Sequence, residues 1–317
     1  MSAGGNIAIM GEAMLELRHR ADRTVELAYG GDTLNTAIYL ARMGVKPFYV
    51  TAVGSDPYSN RMFWEWEDEC VQTPHVLRHP DRHPGLYAIQ TDDFGERSFY
   101  YWRDQSAARA FFETDGAEQA LQFMTSADWL YISGITLSIF KSPEQDRLIE
   151  IAAAVKSAGG QVVFDPNYRT RNWASDTQAR DVIGRFCEYV TLGLPTIDDE
   201  NQLFGPQSEA DHAKRWHDLG VPLIFLKCGP NGVRIFELGQ DEVHVQVAEA
   251  VHAIDTTWAG DSFNAAVIGA LYSGADTLSA ARAGNELAGT VIQHRGAIVP
   301  KAEMVQGSGN KTFRSKA

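Results

Sequence analysis

The 317-residue chain is poor in cysteine, in basic residues and in long apolar runs. Its three cysteines, Cys70, Cys187 and Cys228, are widely spaced and odd in number. This argues against a disulfide framework or a zinc site and for a reducing compartment. No stretch approaches the roughly 18 apolar residues of a membrane span, and the first residues lack the basic start of a signal peptide. We therefore expect a cytoplasmic protein.

Positive charge is also scarce. The chain has 28 Lys and Arg against 41 Asp and Glu, which gives a net charge of −13 and a pI of about 5.1. Neither nucleic acid nor an anionic membrane surface is an expected partner of so acidic a protein. An anionic substrate would have to be held by a local cluster of arginines, because the overall charge repels it.

Short apolar, β-branched segments alternate with longer helical patterns. The predicted strands are residues 6–11, 47–54, 128–133, 161–165, 188–192 and 222–227. A helix is predicted over 142–158, with Ser142-Pro143-Glu144-Gln145 as its capping box. This alternation predicts an α/β fold of three layers, a mostly parallel central sheet with helices on both faces. Ligands bind such sheets beyond the carboxyl ends of the strands.

Two segments, 12–29 and 84–103, instead have the period-two pattern of polar-faced strands, with a hairpin turn predicted at 92–95. We expect them to form a small antiparallel sheet that serves as a lid, a dimer surface, or both. The predicted organisation is one domain over 1–317, with a lid subdomain from about 12–32 and 84–105. His75, His79 and His83 are predicted to lie in a surface loop, since their spacing fits no common metal motif.

Two glycine-containing turns each precede a helical pattern. In the first, Gly31 is followed by Asp32 and Asn35, which could bond the hydroxyls of a polar ligand or simply belong to a capped helix. In the second, Asp261 follows Ala259 and Gly260 just before a helical run. A helix N-terminus attracts phosphate, and a carboxylate there is either a cap or a base beside a phosphate site. Both readings fit the local pattern.

These motifs resemble the signatures of PfkB-type (ribokinase-like) carbohydrate kinases over roughly residues 6 to 300. The N-terminal signature matches at Gly30, Gly31, Asn35, Ala37, Gly44 and Gly54, and the C-terminal one at Asp255, Thr256, Ala259, Gly260, Asp261, Ala265 and Ala266. Residues 227–232 resemble the Lys-x-Gly-x-x-Gly segment beside the nucleotide. The resemblance implies a ribokinase-like fold with a small β-sheet lid, and an ATP-dependent phosphotransferase acting on an alcohol group.

Within the family, segments 11–17, 30–35, 100–108, 165–169 and 195–205 are most similar to the group that phosphorylates 2-keto-3-deoxygluconate. The implied reaction is phosphorylation of this sugar acid, 2-dehydro-3-deoxy-D-gluconate, at its 6-hydroxyl. The implied substrate-binding residues are Gly31, Asp32, Asn35, Tyr87, Tyr101, Arg103, Ile135 and Arg169. Arginine suits a carboxylate because it forms bidentate, charge-assisted hydrogen bonds, so Arg103 and Arg169 are expected to converge on the anion.

The resemblance also implies the catalytic and nucleotide sites. Asp261 is the expected base, with Ala259 and Gly260 forming an anion hole. The expected ATP-binding residues are Lys227, Gly229, Gly232, Trp258, Gly260 and Asn285. Mg²⁺ is expected to be held through water by Asp199, which aligns with the glutamate of the family's Asn-x-x-Glu element, while Asp198 and Glu200 remain alternatives. A monovalent cation near Asp255 and a homodimer formed through the lid are further implications.

Trp258 departs from the family pattern, which has a small residue at this position of the turn. If its ring pointed towards the triphosphate it would block the donor site, whereas a ring turned elsewhere would leave activity intact. Two alternatives therefore stay open: another sugar kinase, such as a fructokinase or ribokinase, and a catalytically weak sugar-acid-binding homologue. A nicotinamide dehydrogenase is disfavoured, because the first strand leads into Gly11-Glu12-Ala13-Met14 and not into a Gly-x-Gly-x-x-Gly turn.

Overall fold

The computed structural model describes residues 4–19, 24–91, 97–248 and 251–307. The strands, in chain order, are β1 (Ile7–Met10), β2 (Met14–His19), β3 (Val25–Gly30), β4 (Pro47–Gly54), β5 (Val76–His79), β6 (Gly85–Thr91), β7 (Arg97–Trp102), β8 (Trp129–Ser133), β9 (Gln161–Asp165), β10 (Leu192–Gly193), β11 (Leu223–Lys227), β12 (Val233–Glu237) and β13 (Val243–Val245). The α-helices are α1 (Asp32–Arg42), α2 (Pro57–Asp68), α3 (Ala117–Thr125), α4 (Gly134–Ile139), α5 (Glu144–Ser157), α6 (Asp176–Cys187), α7 (Ile197–Phe204), α8 (Glu209–Asp218), α9 (Ala259–Tyr272), α10 (Thr277–Val291) and α11 (Lys301–Gly307). Short 3₁₀ turns lie at Ala108–Glu113, Thr170–Asn172 and Gly229–Asn231.

The large sheet has nine strands in the order β13-β12-β11-β10-β9-β8-β1-β4-β5. All pairings from β11 through β5 are parallel, and β12 and β13 add an antiparallel edge. The predictions of strands at 47–54 and 161–165 are confirmed with the same bounds. Strands β5, β12 and β13 were not predicted; β5 and β13 are short edge strands of four and three residues, and β12 lies between β13 and β11.

The predicted strand at 188–192 is wrong over most of its length. Helix α6 runs to Cys187, and the amides of Tyr189 and Val190 donate to the carbonyls of Phe186 and Cys187. These amides close the end of the helix and cannot join a ladder. Leu192 and Gly193 pair with the neighbouring strands as β10, and the Thr191 amide donates to Val162 O of β9 at 2.8 Å.

The predicted capping box at the start of α5 is also wrong. The helix begins at Glu144 with Pro143 at the N-cap, where no side chain caps the backbone. The Ser142 hydroxyl donates to the carboxylate of Asp146 at 2.5 Å instead of accepting from a helix amide. Pro143 occupies the N-cap position and has no side-chain acceptor, so it cannot cap the first turn.

Helices cover both faces of the large sheet, which confirms the predicted three layers. Along β1, Ile7 and Ile9 pack on one face with residues of α1, α9 and α10, such as Leu34 and Val267. Ala8 alternates with them and faces the opposite core, which includes residues of α3, α5, α6 and α8. Successive strand residues point to opposite faces, so a strand buried on both sides has to be apolar throughout.

The small sheet comprises β2, β3, β6 and β7 in the order β3-β2-β6-β7. The hairpin pairings β2–β3 and β6–β7 are antiparallel, as predicted, whereas β2 and β6 at the centre run parallel. The turn predicted at 92–95 lies outside the described residues. The histidine segment differs from the predicted loop, because His79 ends β5 and the His75 ring stacks on Phe123 at 4.1 Å between centroids. Within the described ranges, none of the helices has the length and apolarity needed to span a membrane.

Candidate active site

The carboxyl ends of the central strands face the first turn of α9. Trp258 is the N-cap of this helix with φ −111° and ψ 11°, so the turn does not require the left-handed backbone that tryptophan would resist. Asp261 lies in the first turn and is buried. The start of α9 and the positive end of its dipole therefore lie beside the expected base, and in this structure the N–H of Ala259 donates to Thr256 O at 3.3 Å.

Asp261 is held by residues of α1. The side-chain amide of Asn35 donates from Nδ2 to Oδ2 of Asp261 at 2.7 Å, and Thr36 Oγ1 donates to its backbone carbonyl at 3.1 Å. Burial raises the pKa of Asp261 well above its ordinary value, and the nearby Asp32 carboxylate raises it further. The hydrogen bond from Asn35 opposes this rise, as does the charge of Lys227. A carboxylate with a raised pKa is a stronger proton acceptor than an ordinary aspartate.

Lys227, the last residue of β11, lies in a buried polar network. Its Nζ donates to Asp165 Oδ2 at 2.7 Å and to Asn264 Oδ1 at 3.1 Å. The Asn264 amide in turn donates to Asp165 Oδ2 at 2.6 Å. A β-carbon built on Gly260 would meet Lys227 Nζ at 3.6 Å, so the ammonium is adjacent to the turn. The structure thus brings Lys227 and Gly260 together, as the motifs suggested.

Asp32, at the start of α1, joins the same region through Asn167. Nδ2 of Asn167 donates to Asp32 Oδ2 at 3.0 Å, and its backbone N–H donates to Asp165 Oδ1 at 3.0 Å. Burial raises the pKa of Asp32, and the charge of Asp165 adds to the rise. Asn167 has φ 36°, a left-handed backbone that asparagine tolerates better than most residues.

Asn167 and Asn264 were not predicted as site residues. Asn167 could have been recognised as a polar residue two positions after a buried strand. Asn264 could have been recognised by its position three residues after the expected base. Gly31 was predicted, and the reason for glycine is steric. A β-carbon there would lie 2.3 Å from the backbone oxygen of Glu12.

Arg103 follows β7 and is buried. Its Nη2 donates to the buried carboxylate of Glu12, while its Nε has no partner among the described atoms. Oε1 of Glu12 is likewise buried and unpartnered. The pair therefore contains one donor and one acceptor that are buried without a partner, which is uncommon in a protein interior.

Arg169 follows β9 and is half-exposed, with 44% of its side chain accessible. Its Nη1 donates to Tyr168 O at 2.7 Å and to Asp199 Oδ1 at 3.2 Å. Arg103 thus pairs with Glu12 and Arg169 with α7, and the convergence of both arginines on one anion stays a prediction.

The three acidic residues at the start of α7 have different environments. Asp198 is exposed, and Glu200 is buried in an ion pair with Arg215 of α8. Asp199 lies beside Arg169, and burial raises its pKa while Arg169 opposes the rise. The charge of Asp165 also raises the pKa of Asp199 and that of Lys227 lowers it, which places Asp199 next to the buried network. The described residues contain no group of three or more side chains that could hold a metal ion by themselves.

The aromatic residues meet at the inner side of the small sheet. The Tyr87 hydroxyl donates to Glu16 and its ring stacks on Tyr101, with centroids 5.8 Å apart. The Trp258 ring lies 6.3 Å from that of Tyr87. The indole therefore contacts the small sheet. The predicted contact of Trp258 with ATP stays a prediction, and it concerns the backbone N–H of this residue.

The remaining predicted residues lie at the edges of this region. Ile135 is the second residue of α4, just after β8. Gly229 is the first residue of the 3₁₀ turn after β11, and Gly232 follows that turn. The side-chain amide of Asn285, on α10, donates to Val245 O at 3.0 Å and so secures β13. Its contact with adenine stays a prediction.

Asp255 precedes the turn and is buried. Its Oδ1 accepts from the N–H of Thr257 at 3.1 Å and its Oδ2 from the N–H of Gly296 at 3.0 Å. These bonds fix the segment that leads into α9 against the segment after α10.

The chain is similar to known carbohydrate kinases. The profile of the pfkB family carbohydrate kinases matches residues 5–304. The 2-dehydro-3-deoxygluconokinase of Escherichia coli (strain K12) is 38% identical over 304 residues, which are 94% of this chain and 98% of the relative. That of Dickeya dadantii (strain 3937) is 38% identical over 306 residues, with the same coverage of both chains.

Among solved structures, the 2-dehydro-3-deoxygluconokinase of Thermotoga maritima matches with a TM-score of 0.79 at 23% identity, over 98% of this chain and all of that one. At this identity the match concerns the fold, which is the ribokinase-like α/β fold predicted from the sequence. The profile match covers nearly the whole chain, and the relatives align over almost their full length. The chain belongs to the pfkB family of carbohydrate kinases.

Proposed function

We propose that this kinase transfers the γ-phosphoryl group of ATP to the 6-hydroxyl of 2-dehydro-3-deoxy-D-gluconate, giving the 6-phosphate and ADP. The observation that carries the chemistry is the buried carboxylate of Asp261 in the first turn of α9, held by Asn35. The substrate is supported by the names of the relatives that are 38% identical over nearly their full length.

Asp261 accepts the proton of the 6-hydroxyl as the phosphoryl group arrives. A primary hydroxyl is a weak nucleophile, and a carboxylate in hydrogen-bond reach removes its proton in the transition state. The backbone N–H groups of Ala259, Gly260 and Asp261 stabilise the charge on the transferred group, with help from the dipole of α9. Lys227, adjacent to Gly260, adds positive charge on the phosphate side.

Arg103 holds the sugar-acid carboxylate, with Arg169 as its partner across the cleft. A desolvated carboxylate needs charged donors, and a net charge of −13 supplies no general attraction for it. Gly31, Asp32, Asn35 and Ile135 contact the rest of the sugar acid. The small sheet acts as the lid over it and contributes Tyr87 and Tyr101.

ATP is the donor, bound by Lys227, Gly229, Gly232 and Asn285 and by the backbone of the α9 turn. The residues present fit a magnesium ion held mainly by phosphate oxygens and water. Asp199 offers a carboxylate beside the buried network, and the described residues provide no complete protein cage. When bound, Mg²⁺ neutralises phosphate charge, and Asp199 orients its water shell.

The active form is a homodimer joined through the outer faces of the small sheets. Trp102 and Tyr100 of β7 are 60% and 50% exposed, which is unusual for large aromatic side chains on a strand. Analytical ultracentrifugation of the wild type and Trp102→Glu checks this point, and a monomeric wild type excludes it. Free cysteines support a cytoplasmic location.

A substrate panel tests the function. ADP release is measured with 2-dehydro-3-deoxy-D-gluconate, fructose and ribose, and the sugar acid is expected to give the highest kcat/KM. A higher value with fructose or ribose would identify a neutral-sugar kinase. No ADP release from any of them, beside measurable binding of the sugar acid, would identify a catalytically weak homologue.

A further inference from the structure

Four side chains form a continuous row of contacts from the α9 turn, through the small sheet, to the chain after β9. The Trp258 ring lies 6.3 Å from that of Tyr87, at 50° between planes. Tyr87 on β6 stacks on Tyr101 on β7 at 5.8 Å and 25°. The guanidinium of Arg171 lies 3.9 Å above the centre of the Tyr101 ring. The two ends, Trp258 and Arg171, lie in the turns before α9 and after β9, and the two middle residues belong to the small sheet.

Trp258 joins two separate apolar clusters. It packs against the core between the large sheet and α1, α9 and α10, and also against the cluster of Met14, Tyr87 and Ile89 in the small sheet. Its Nε1 is buried and has no hydrogen-bond partner among the described atoms. Packing alone therefore holds the indole in place.

We propose that Trp258 and Arg171 are positioning residues that together hold the small sheet closed over the sugar acid, an inference that rests on the function proposed above. At one end the row is anchored by a tilted aromatic contact, and at the other by a cation over an aromatic face. A ligand that binds only the closed form has an apparent affinity reduced by the fraction of open molecules. Removal of either anchor is thus expected to weaken sugar binding. ATP binding is expected to be unaffected, because Lys227 and the backbone of the α9 turn lie outside the small sheet.

The kinetic test compares Trp258→Ala and Trp258→Phe with the wild type. The Trp258 side chain makes no capping hydrogen bond to α9, so alanine removes no cap. We expect Trp258→Ala to raise the KM for 2-dehydro-3-deoxy-D-gluconate about three- to tenfold, and the KM for ATP by less than about twofold. Trp258→Phe retains a ring and is expected to stay within about twofold of the wild type for both substrates.

Arg171→Gln tests the other anchor in the same assay. It is expected to raise the KM for the sugar acid about two- to fivefold, with no change for ATP. An increase confined to the KM for ATP, in either variant, overturns the proposal. So does a Trp258→Phe variant as impaired as Trp258→Ala, since that result assigns the role to the indole N–H.

Hydrogen–deuterium exchange of the ligand-free protein tests the same proposal without any substrate. Amides of β6 (Gly85–Thr91) are expected to exchange faster in Trp258→Ala and in Arg171→Gln, with β8 (Trp129–Ser133) unchanged as the internal control. Unchanged exchange of β6 in both variants overturns the proposal. Failure of the wild type to phosphorylate the sugar acid would refute the proposed function alone, because the exchange result does not depend on it.

Discussion

Asn35 donates a hydrogen bond of 2.7 Å from Nδ2 to Oδ2 of Asp261, and so connects α1 to the first turn of α9 across 226 positions of the chain. The two residues come from the two motifs that flank the cleft. The bond fixes the orientation of a carboxylate whose pKa is raised by burial, and it stabilises the ionised form that can accept a proton. The proposed base therefore has its reactivity set by a residue from the opposite end of the sequence.

Asp261→Asn is expected to lower kcat about 10²- to 10⁴-fold, because a positioned general base contributes about that much and the amide cannot accept the proton. ADP release in a coupled assay measures it. Asp276→Asn is the matched control, since Asp276 caps α10 at the surface and asparagine caps equally well. A variant at position 261 that keeps most of the wild-type kcat would show that another group takes the proton.

The same Asp261→Asn substitution is expected to stabilise the fold. A carboxyl whose pKa is raised by folding makes the folded protein lose stability as the pH rises from the unfolded pKa, about 3.9, through the folded pKa. Asparagine carries no charge and escapes that loss. The difference in Tm between variant and wild type should therefore be larger at pH 8 than at pH 5. An equal difference at the two pH values would contradict this assignment.

Asn35→Ala is expected to move the acidic limb of the pH profile of kcat/KM to higher pH. The hydrogen bond from Asn35 lowers the pKa of Asp261, so its removal raises that pKa, and the active ionised form is reached only at higher pH. Thr36→Val is the control, because Thr36 bonds the backbone carbonyl of Asp261 and leaves the carboxylate alone. If the acidic limb of Asn35→Ala stayed at the wild-type pH, the limb would report the titration of a group other than Asp261.

Arg103→Gln is expected to raise the KM for the sugar acid about 10- to 100-fold with little effect on the KM for ATP, as for the loss of a charged hydrogen bond. It also leaves Glu12 buried and unpaired, so the Tm should fall. Adding Glu12→Gln should recover Tm and leave the KM high. Arg61→Gln, at an exposed ion pair, is the control for the lost charge. Recovery of both quantities in the double variant would assign Arg103 a structural role only.

Lys227→Met is expected to lower the Tm by about 5–8 °C, because Asp165 would lose its buried partner at a cost of about 3–5 kcal/mol. Asp165→Asn in the same chain should restore most of the loss, measured by thermal unfolding. Lys214→Met removes an exposed ion pair with Asp218 and should change the Tm by no more than about 2 °C. Equal effects at the two lysines would be inconsistent with a buried network.

Much of the fold was predictable because its signals are local. Strand β9 and strand β4 were placed with the correct bounds, since each is an apolar run between clear turn residues. The prediction of a strand at 188–192 is wrong because the amides of Tyr189 and Val190 donate to carbonyls at the end of α6. The two hairpins of the small sheet were foreseen from period-two patterns, but not the parallel pairing of β2 with β6, which has no local signal.

The sequence by itself determined the family, the α/β layers and the two motifs that contain Asn35 and Asp261. These features depend on the spacing of residues that are close in the sequence, and such spacings can be recognised without a structure. Only the tertiary structure decided which side chains meet: Asn35 with Asp261, Lys227 with Asp165, and Trp258 with Tyr87. Each of these contacts joins segments far apart in the chain, so its existence depends on the packing of helices and sheets and not on any neighbouring residue. The direction of the Trp258 ring could likewise not be predicted from the sequence, because it depends on packing against apolar residues that are distant in the chain.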